Sequence, residues 1–221
     1  MKQASSRLGA LKKDFVAALR IVSREGLSDA FAHLSARLGP DRMLFMPRKS
    51  PAIIRTADLF IVSLEKPVPQ SAVHQAIYKA RPDAGSVIHF HSPAVILLSV
   101  VGQTVQPMHN YSAIFYEGVP LFEGTGQVES AERAAEIARL LGGAKAIILR
   151  GHGAVVVGHN VPEACVLALY LEESARLQAE AMKLGAPKFI TAAEAERIAR
   201  QTFNPESTLR AWEHFKAKAA S

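Results

Sequence analysis

Two apolar segments of this chain end in histidine, and this pattern limits the possible fold more than any other feature. His89 and His91 close the run at residues 87–91. Side chains two positions apart on a strand point to the same face, so both imidazoles can reach one point. His152 follows the apolar run at residues 146–149 and stands between two glycines, which allow close backbone approach. The pattern predicts two buried strands whose ends bring three histidines together.

Three neutral imidazoles with an open coordination position form a ligand set that proteins use for catalytic zinc. Manganese, iron or cobalt can occupy the same ligands. We therefore predict that His89, His91 and His152 hold a divalent metal ion, with zinc as the first choice. The alternative is that the paired histidines belong to an ordinary half-buried strand.

Hydrophobic periodicity predicts strands and helices that alternate along the chain. Residues 6–25 have the apolar spacing of an amphipathic helix. Residues 31–38 alternate as a strand, and His33 lies on its polar face. Further strands are expected at 43–46, 59–64, 86–90, 146–149 and 154–157, and further helices at 71–79, 93–100, 130–141 and 162–185 and after 191. This order is typical of an α/β domain in which helices cover a sheet.

Composition excludes several classes of partner. The formal net charge of +6 is spread along the chain and forms no nucleic-acid-binding stripe, although it favours small anionic substrates. Cys165 is the single cysteine, so an intrachain disulfide is excluded and a reducing compartment is expected. No apolar run is long enough to cross a bilayer. We therefore predict a cytoplasmic protein that binds neither nucleic acid nor membrane.

The segment from residue 102 to residue 125 lacks a regular pattern and is rich in aromatic residues, glycine and proline. It contains His109, Tyr111 and Tyr116, each of which can donate a proton. We predict a loop that forms part of the site.

A set of motifs, in order and spacing, resembles the class II aldolase/adducin family over roughly residues 8–186. The motifs are Gly26-Leu27, Ala32-His33-Leu34-Ser35-Ala36-Arg37, Lys66-Pro67-Val68-Pro69-Gln70, His74 to Tyr78, Arg81-Pro82-Asp83, the segment with His89 and His91, and Arg150 to Gly158. The resemblance implies a three-layer α/β/α fold with a central mixed, largely antiparallel sheet. It also implies a homotetramer with the site near a subunit interface, and the three histidines as metal ligands. We expect one domain over residues 1–221, with a core at 8–186 and a helical extension at 187–221.

The departures from the family pattern concern substrate binding. Gln70 stands where the family aldolases have an acid/base glutamate, and an amide cannot take a proton. Val68 and Pro69 replace two phosphate-binding serines, and His33 replaces an asparagine. Arg48 lies in the segment that matches a phosphate loop, and its planar guanidinium suits a carboxylate. The alternative for Arg48 is an ordinary surface charge.

The pattern is more similar to the family branch that contains decarboxylases of dihydroxylated aromatic acids. We therefore expect a metal-dependent carbon–carbon lyase, a decarboxylase of a small dihydroxylated aromatic or hydroxy/oxo carboxylic acid. Alternatives are an aldolase acting on a small hydroxy-carbonyl compound, a dehydratase or iron-dependent oxygenase with the same site, and a non-catalytic adducin-like binding module.

Decarboxylation needs an acid that protonates the carbanion after carbon dioxide leaves. His33 is the first candidate, and His109 and Tyr111 follow. Gln70 is expected to orient water or substrate, and Arg150 to hold a carboxylate or a neighbouring subunit.

Overall fold

The computed structural model describes residues 2–28, 30–66, 68–128 and 130–220. Pro67, which belongs to one of the motifs compared above, lies outside the described residues, as do the two terminal residues of the expected domain.

A mixed sheet forms the centre of the molecule. The strands in the described ranges are β1 (Ala32–Arg37), β2 (Arg42–Phe45), β3 (Phe60–Ser63), β4 (Ser86–Phe90), β5 (Leu121–Phe122), β6 (Ala146–Leu149) and β7 (Gly153–Gly158). Their order across the sheet is β3-β2-β1-β4-β7-β6-β5. Only the β5–β6 pair among them is parallel. The expected largely antiparallel sheet is therefore confirmed.

Helices cover both faces of this sheet. They are α1 (Lys2–Arg24), α2 (Ala72–Ala80), α3 (Pro93–Val100), α4 (Ala131–Leu141), α5 (Val161–Leu184), α6 (Ala192–Thr202) and α7 (Pro205–Ala220). One face packs against α2 and α4, through a core that includes Val73, Ile77 and Ile137. The opposite face packs against α1, α3 and α5, and α7 adds the buried Trp212 to that core. The three-layer α/β/α architecture is confirmed.

The alternation in β1 separates an apolar face from a polar one. Leu34 and Ala36 belong to the core beneath α1 and α5. Ser35 faces the α2 layer, where its hydroxyl lies 2.8 Å from Nδ1 of His74 and 2.9 Å from the Tyr78 hydroxyl. His33 shares the polar face with Ser35, because side chains alternate along a strand. It pairs across the sheet with His89 of β4.

The contact between β4 and β7 requires a glycine. Phe90 pairs with Ala154, and Gly153 has a backbone φ of +154°. A Cβ atom at Gly153 would lie 2.2 Å from the carbonyl oxygen of Phe90. Only a residue without a side chain allows the two strands to approach this closely beside His152.

The irregular segment at 102–125 contains a short 3-10 turn at Ser112–Phe115 and the two-residue strand β5. The turn packs against α6 and α5. No helix in the described part of the chain is both long and apolar enough to span a membrane.

Candidate metal centre

Three histidine rings converge at the carboxyl end of β4 and at the turn between β6 and β7. The ring centroids of His89, His91 and His152 lie 4.9 to 5.0 Å apart. One ligand nitrogen from each ring lies within 4.8 Å of the other two, and the Nε2 atoms of His89 and His91 are 3.2 Å apart. Tetrahedral bonds of the usual zinc–nitrogen length place two ligand nitrogens about 3.3 Å apart. The spacing therefore suits a single divalent cation.

The tautomer of His89 also suits a metal. Its Nδ1 lies 3.0 Å from the carbonyl oxygen of Ala154, which can only accept a hydrogen bond. Nδ1 therefore carries the proton, and Nε2 has a lone pair directed toward the other two rings. Burial, followed by the neighbouring His152 and His91, holds the pKa of His89 well below its usual value. Burial also lowers the pKa of His152. Neutral imidazole is the form that binds a metal, so these residues fit one.

Helix α3 links the two less buried histidines. His91 directly precedes Ser92, the N-cap of α3, and the Glu172 carboxylate on α5 accepts hydrogen bonds from the Ser92 hydroxyl and the Ala94 N–H. At the other end of α3, the Ser99 hydroxyl accepts a 3.0 Å hydrogen bond from the Gly151 N–H, next to His152. One short helix therefore fixes the backbone on both sides of the cluster.

A cavity of about 440 Å³ opens at the three histidines. The described residues that line it are Ala30, Phe31, Ala32, His33, Arg48, Lys49, Ser50, Gln70, His89, His91, Gln127 and His152. None of these described residues is acidic, whereas two are cationic. A larger groove of about 690 Å³ lies between α2 and α4, but none of the three histidines lines it. We therefore place the candidate site in the smaller cavity, because it holds the chemically useful side chains.

The polar side of this cavity is organised by contacts between loops. Arg48 Nε donates a 3.0 Å hydrogen bond to Oε1 of Gln70. Lys49 Nζ lies 2.8 Å from the carboxylate of Asp58. Gln70 is in the 3-10 turn that leads into α2, so its backbone is held by the start of that helix.

His33 lies beside the cluster, with its ring centroid 6.0 Å from that of His89. Burial lowers the pKa of His33 to about 4, and the nearby His91 and the positive charge of Arg48 contribute. The imidazole is therefore neutral near neutral pH. It can donate one hydrogen bond and accept another, but it must gain a proton before it can act as an acid.

Three of the predicted site residues lie elsewhere in the chain. Tyr111 stacks on Tyr170 of α5 at a centroid distance of 4.4 Å, and His109 contacts Tyr111 rather than the cavity. Arg150 pairs with Glu123, with 2.8 Å between Nε and Oε2. The structure thus brings His33, Arg48 and Gln70 to the three histidines and leaves these other three outside the cavity wall.

Sequence reasoning missed several residues that line or support the site. Phe31 and Gln127 line the cavity, and Ser99 and Glu172 support it through α3. Gln127 follows a Gly-Thr-Gly segment that carries no periodicity. Glu172 is 80 positions from Ser92 in the sequence, so no local pattern could have connected the two.

A protein-family model and two known enzymes are similar to this chain over most of its length. The family model described as "Class II Aldolase and Adducin N-terminal domain" matches residues 13–179. A 3,4-dihydroxyphthalate decarboxylase of a Terrabacter species is 27% identical over 190 residues, which cover 76% of this chain and 80% of that protein. A 5-methylthioribulose-1-phosphate/5-deoxyribulose-1-phosphate aldolase of Rhodospirillum rubrum is 27% identical over 198 residues, covering 86% of this chain and 89% of that one.

Among solved structures, the L-fuculose 1-phosphate aldolase from Glaciozyma antarctica superposes with a TM-score of 0.85 at 23% identity. The match covers 98% of this chain and 90% of that protein. Similarity at this level of identity establishes the fold.

Proposed function

The chain belongs to the class II aldolase and adducin family and is an enzyme of the lyase class, and we propose that it decarboxylates a small hydroxylated carboxylic acid in a metal-dependent reaction. The observation that carries this proposal is the wall of the cavity at His89, His91 and His152. That wall combines three histidines that can hold a divalent cation with Arg48, and no acidic side chain is among its described residues, while Lys49 is paired with Asp58. A divalent cation in such a wall attracts an anionic substrate. The decarboxylase among the relatives supports the same reaction.

We further propose that the three histidines hold the divalent metal. Zinc is the first choice for this metal, and manganese, iron and cobalt are the alternatives. When bound, the metal supplies a Lewis acid that stabilises negative charge on a substrate oxygen as the carbon–carbon bond breaks.

The side chains around the histidines perform the other tasks. Arg48 binds the substrate carboxylate through its guanidinium group. The neutral imidazole of His33 takes the proton of a substrate hydroxyl as the substrate binds. Carbon dioxide then leaves, the electron pair of the broken bond stays with the substrate, and His33 returns its proton to the carbon that carried the carboxylate. The hydroxyl regains its proton from solvent, so charge and atoms balance.

Gln70 is the reason why we place decarboxylation before aldol cleavage. It stands where the family aldolases have an acid/base glutamate, and an amide cannot serve as that base, so aldol cleavage here would have to use His33 instead. Because an aldolase is among the relatives, cleavage of a small hydroxy-carbonyl compound is the second candidate function.

His109 and Tyr111 lie outside the cavity of their own chain, so a catalytic role for either requires a second copy of the chain. We propose that the enzyme is a homotetramer in which this loop approaches a neighbouring site. In such a tetramer we expect Arg150, next to Gly151, to contact a neighbouring copy of the chain.

The test is release of carbon dioxide from dihydroxylated aromatic acids, including 3,4-dihydroxyphthalate, the acid in the name of the Terrabacter relative. We expect turnover to be lost on chelation and restored by one of the four metals, with elemental analysis of untagged protein to identify the resident ion. His89→Ala should abolish metal binding and turnover, whereas His159→Ala, an exposed histidine outside the cavity, should change neither. Equal activity of chelated and metal-loaded protein would refute the metal mechanism. Cleavage of hydroxy-carbonyl compounds without release of carbon dioxide would establish the aldolase instead.

A further inference from the structure

A small recess opens from the cavity beside the candidate metal ligands. Its volume is about 40 Å³, whereas the outer cavity has about 440 Å³. The residues that line both spaces form the mouth of the recess, and they are His33, Gln70, His89, Gln127 and His152. A water molecule needs roughly 10–15 Å³ of such space, so the recess has room for a group of about three non-hydrogen atoms but not for an aromatic ring.

The back of the recess is apolar. It is formed by Val73, Val128 and Leu149, which do not line the outer cavity. Val73 and Leu149 belong to the core between the sheet and helices α2 and α4, and Val128 packs against that core. A charged group that enters the recess therefore loses hydration on this side, and these side chains offer no hydrogen bond in return.

Two amide side chains lie at the mouth of the recess. Oε1 of Gln70 accepts the hydrogen bond from Arg48, so Nε2 of Gln70 can only donate. Gln127 lies in the loop between β5 and α4, and its amide can donate as well. This loop is held close to Gln127, where Arg133 donates a 2.6 Å hydrogen bond to the Thr125 carbonyl oxygen. The recess thus combines hydrogen-bond donors at its mouth with an apolar back.

We propose that this recess is the leaving-group pocket of the decarboxylation: it takes up a carboxylate on the ring carbon next to the one whose oxygen lies at the three histidines, and this carboxylate leaves as carbon dioxide. This inference rests on the proposed function, and it adds the subsite that decides where the substrate must carry its carboxylate. Arg48 lines the outer cavity but not the recess, so its charge acts on the carboxylate from the mouth.

The position of the mouth determines which carboxylate can enter. His89 and His152 line the recess, whereas His91 does not, so the recess begins at one side of the candidate metal site. Its volume excludes the ring itself. A substituent next to the oxygen at the histidines therefore reaches the recess, whereas each further ring carbon turns the substituent away from that side.

The apolar back favours breakage of the carbon–carbon bond. The carboxylate carries a full negative charge when it enters. As the bond breaks, the electron pair stays with the ring carbon, carbon dioxide leaves as a neutral molecule, and His33 gives its proton to that carbon, so atoms and charge balance. Burial against Val73, Val128 and Leu149 therefore disfavours the bound carboxylate more than the departing carbon dioxide, which lowers the barrier.

The experiment compares two probes of equal composition, 3-nitrocatechol and 4-nitrocatechol. A nitro group has the planar three-atom shape of a carboxylate but cannot leave, and only in 3-nitrocatechol does it stand next to a hydroxyl group. Dissociation constants are measured by absorbance titration of the metal-loaded full chain and of the chelated chain. We expect wild type to bind 3-nitrocatechol about tenfold more tightly, because the recess adds one or two amide hydrogen bonds. The two probes differ as free chelators, so the readout is the change in their affinity ratio between wild type and variants.

Variants then fill the recess or remove a donor. Val128→Leu lengthens a side chain of the back wall, and we expect the preference for 3-nitrocatechol to fall about tenfold. Gln127→Leu keeps the size but removes the amide, and the preference should fall about fivefold. Val101→Leu and Gln201→Leu make the same exchanges at exposed positions outside the cavity and should change nothing. In every variant the metal content and the affinity for 4-nitrocatechol should remain within about threefold of wild type.

The outcomes distinguish the pocket from the proposed function. An affinity ratio that Val128→Leu leaves unchanged refutes the leaving-group pocket, as does an equal loss of affinity for both probes, and the proposed function then stands. A change in Val128→Leu without one in Gln127→Leu supports the pocket and removes Gln127 from it. If the chelated chain binds 3-nitrocatechol as tightly as the metal-loaded chain, the proposed function fails, and the inference fails with it.

Discussion

The two glycines that flank His152 should respond very differently to the same substitution. A Cβ atom at Gly153 would lie 2.2 Å from the Phe90 carbonyl oxygen and 3.1 Å from the Cα atom of His91, both backbone atoms of the adjacent chain segment. At Gly151, whose φ is +66°, the nearest atom would be Cγ1 of Val100 at 3.9 Å, which is an ordinary contact. Gly153→Ala therefore forces strands apart, whereas Gly151→Ala only strains one residue.

The size of the effect follows from these distances. To reach even 3.0 Å, the shortest separation that Cβ atoms normally show, β4 and β7 must move apart locally by about 0.8 Å. The 3.0 Å contact between Nδ1 of His89 and the Ala154 carbonyl would then exceed hydrogen-bond range, together with neighbouring bonds of the ladder. Three such bonds at about 1 kcal/mol each give a loss of about 3 kcal/mol for Gly153→Ala. Gly151→Ala should cost about 1 kcal/mol, the usual penalty of a left-handed backbone.

Thermal unfolding of metal-free protein, followed by circular dichroism at one protein concentration, measures this difference. For a chain of this size, the midpoint should fall by about 6–12 °C for Gly153→Ala and by about 2–4 °C for Gly151→Ala. Gly153→Ala should also weaken metal binding by about ten- to a hundredfold, because it removes the hydrogen bond that orients His89. If the two variants unfold within about 1 °C of each other, the close approach of β7 to Phe90 does not determine the stability of this region.

Three further predictions concern residues around the site and at the surface. Ser99→Ala should weaken metal binding about tenfold in a chelator competition assay, because it removes the hydrogen bond that holds the backbone beside His152. The control is Ser174→Ala, which removes a buried hydroxyl without a partner among the described residues and should leave metal binding unchanged. Glu172→Gln should lower the free energy of unfolding by about 1 kcal/mol in urea titration, since it weakens the capping of α3; an unchanged midpoint would contradict this. Arg81 lowers the pKa of Asp83 from 3.8 to about 2, so the ionised carboxylate stabilises the fold above about pH 4 and this contribution is lost as the pH falls through 2. Asp83→Asn should therefore cost less than about 1 kcal/mol at neutral pH, because the pair is partly exposed, and clearly less near pH 2; an equal deficit at both values would contradict the pairing.

Local patterns in the sequence predicted many of the elements that carry the site. β4 and α3 occupy the predicted residues 86–90 and 93–100, because a continuous apolar run and a Ser-Pro N-cap are strong local signals. β6 at residues 146–149 is confirmed for the same reason. The helix expected at 6–25 instead spans residues 2–24. Its end lies within one residue of the prediction, because Gly26 adopts a φ of +72° and the Leu27 N–H donates to the Val22 carbonyl oxygen over 3.1 Å, whereas its start lies four residues earlier than predicted.

The arrangement of side chains over long separations could not be predicted in this way. Polarity and irregular backbone favoured His109 and Tyr111 as site residues, but the chain packs that segment against α5 and α6. Arg48 and Gln70 are 22 positions apart, and their contact depends on how β2 and the turn before α2 are placed on the sheet. A local pattern shows which face of a strand is polar, whereas tertiary packing decides which polar faces meet.

The candidate metal ligands and the other polar residues of the cavity lie on different parts of the fold, which explains how one scaffold can serve related reactions. The candidate metal ligands His89, His91 and His152 are fixed by strands at the centre of the sheet, by a glycine contact and by α3, so any change there disturbs the core. Arg48 and Gln70 instead lie on connections that lead out of β2 and into α2, where substitution has little effect on packing. Exchange of an acid for an amide at position 70 can therefore alter which protons move, while the sheet and its three histidines stay in place.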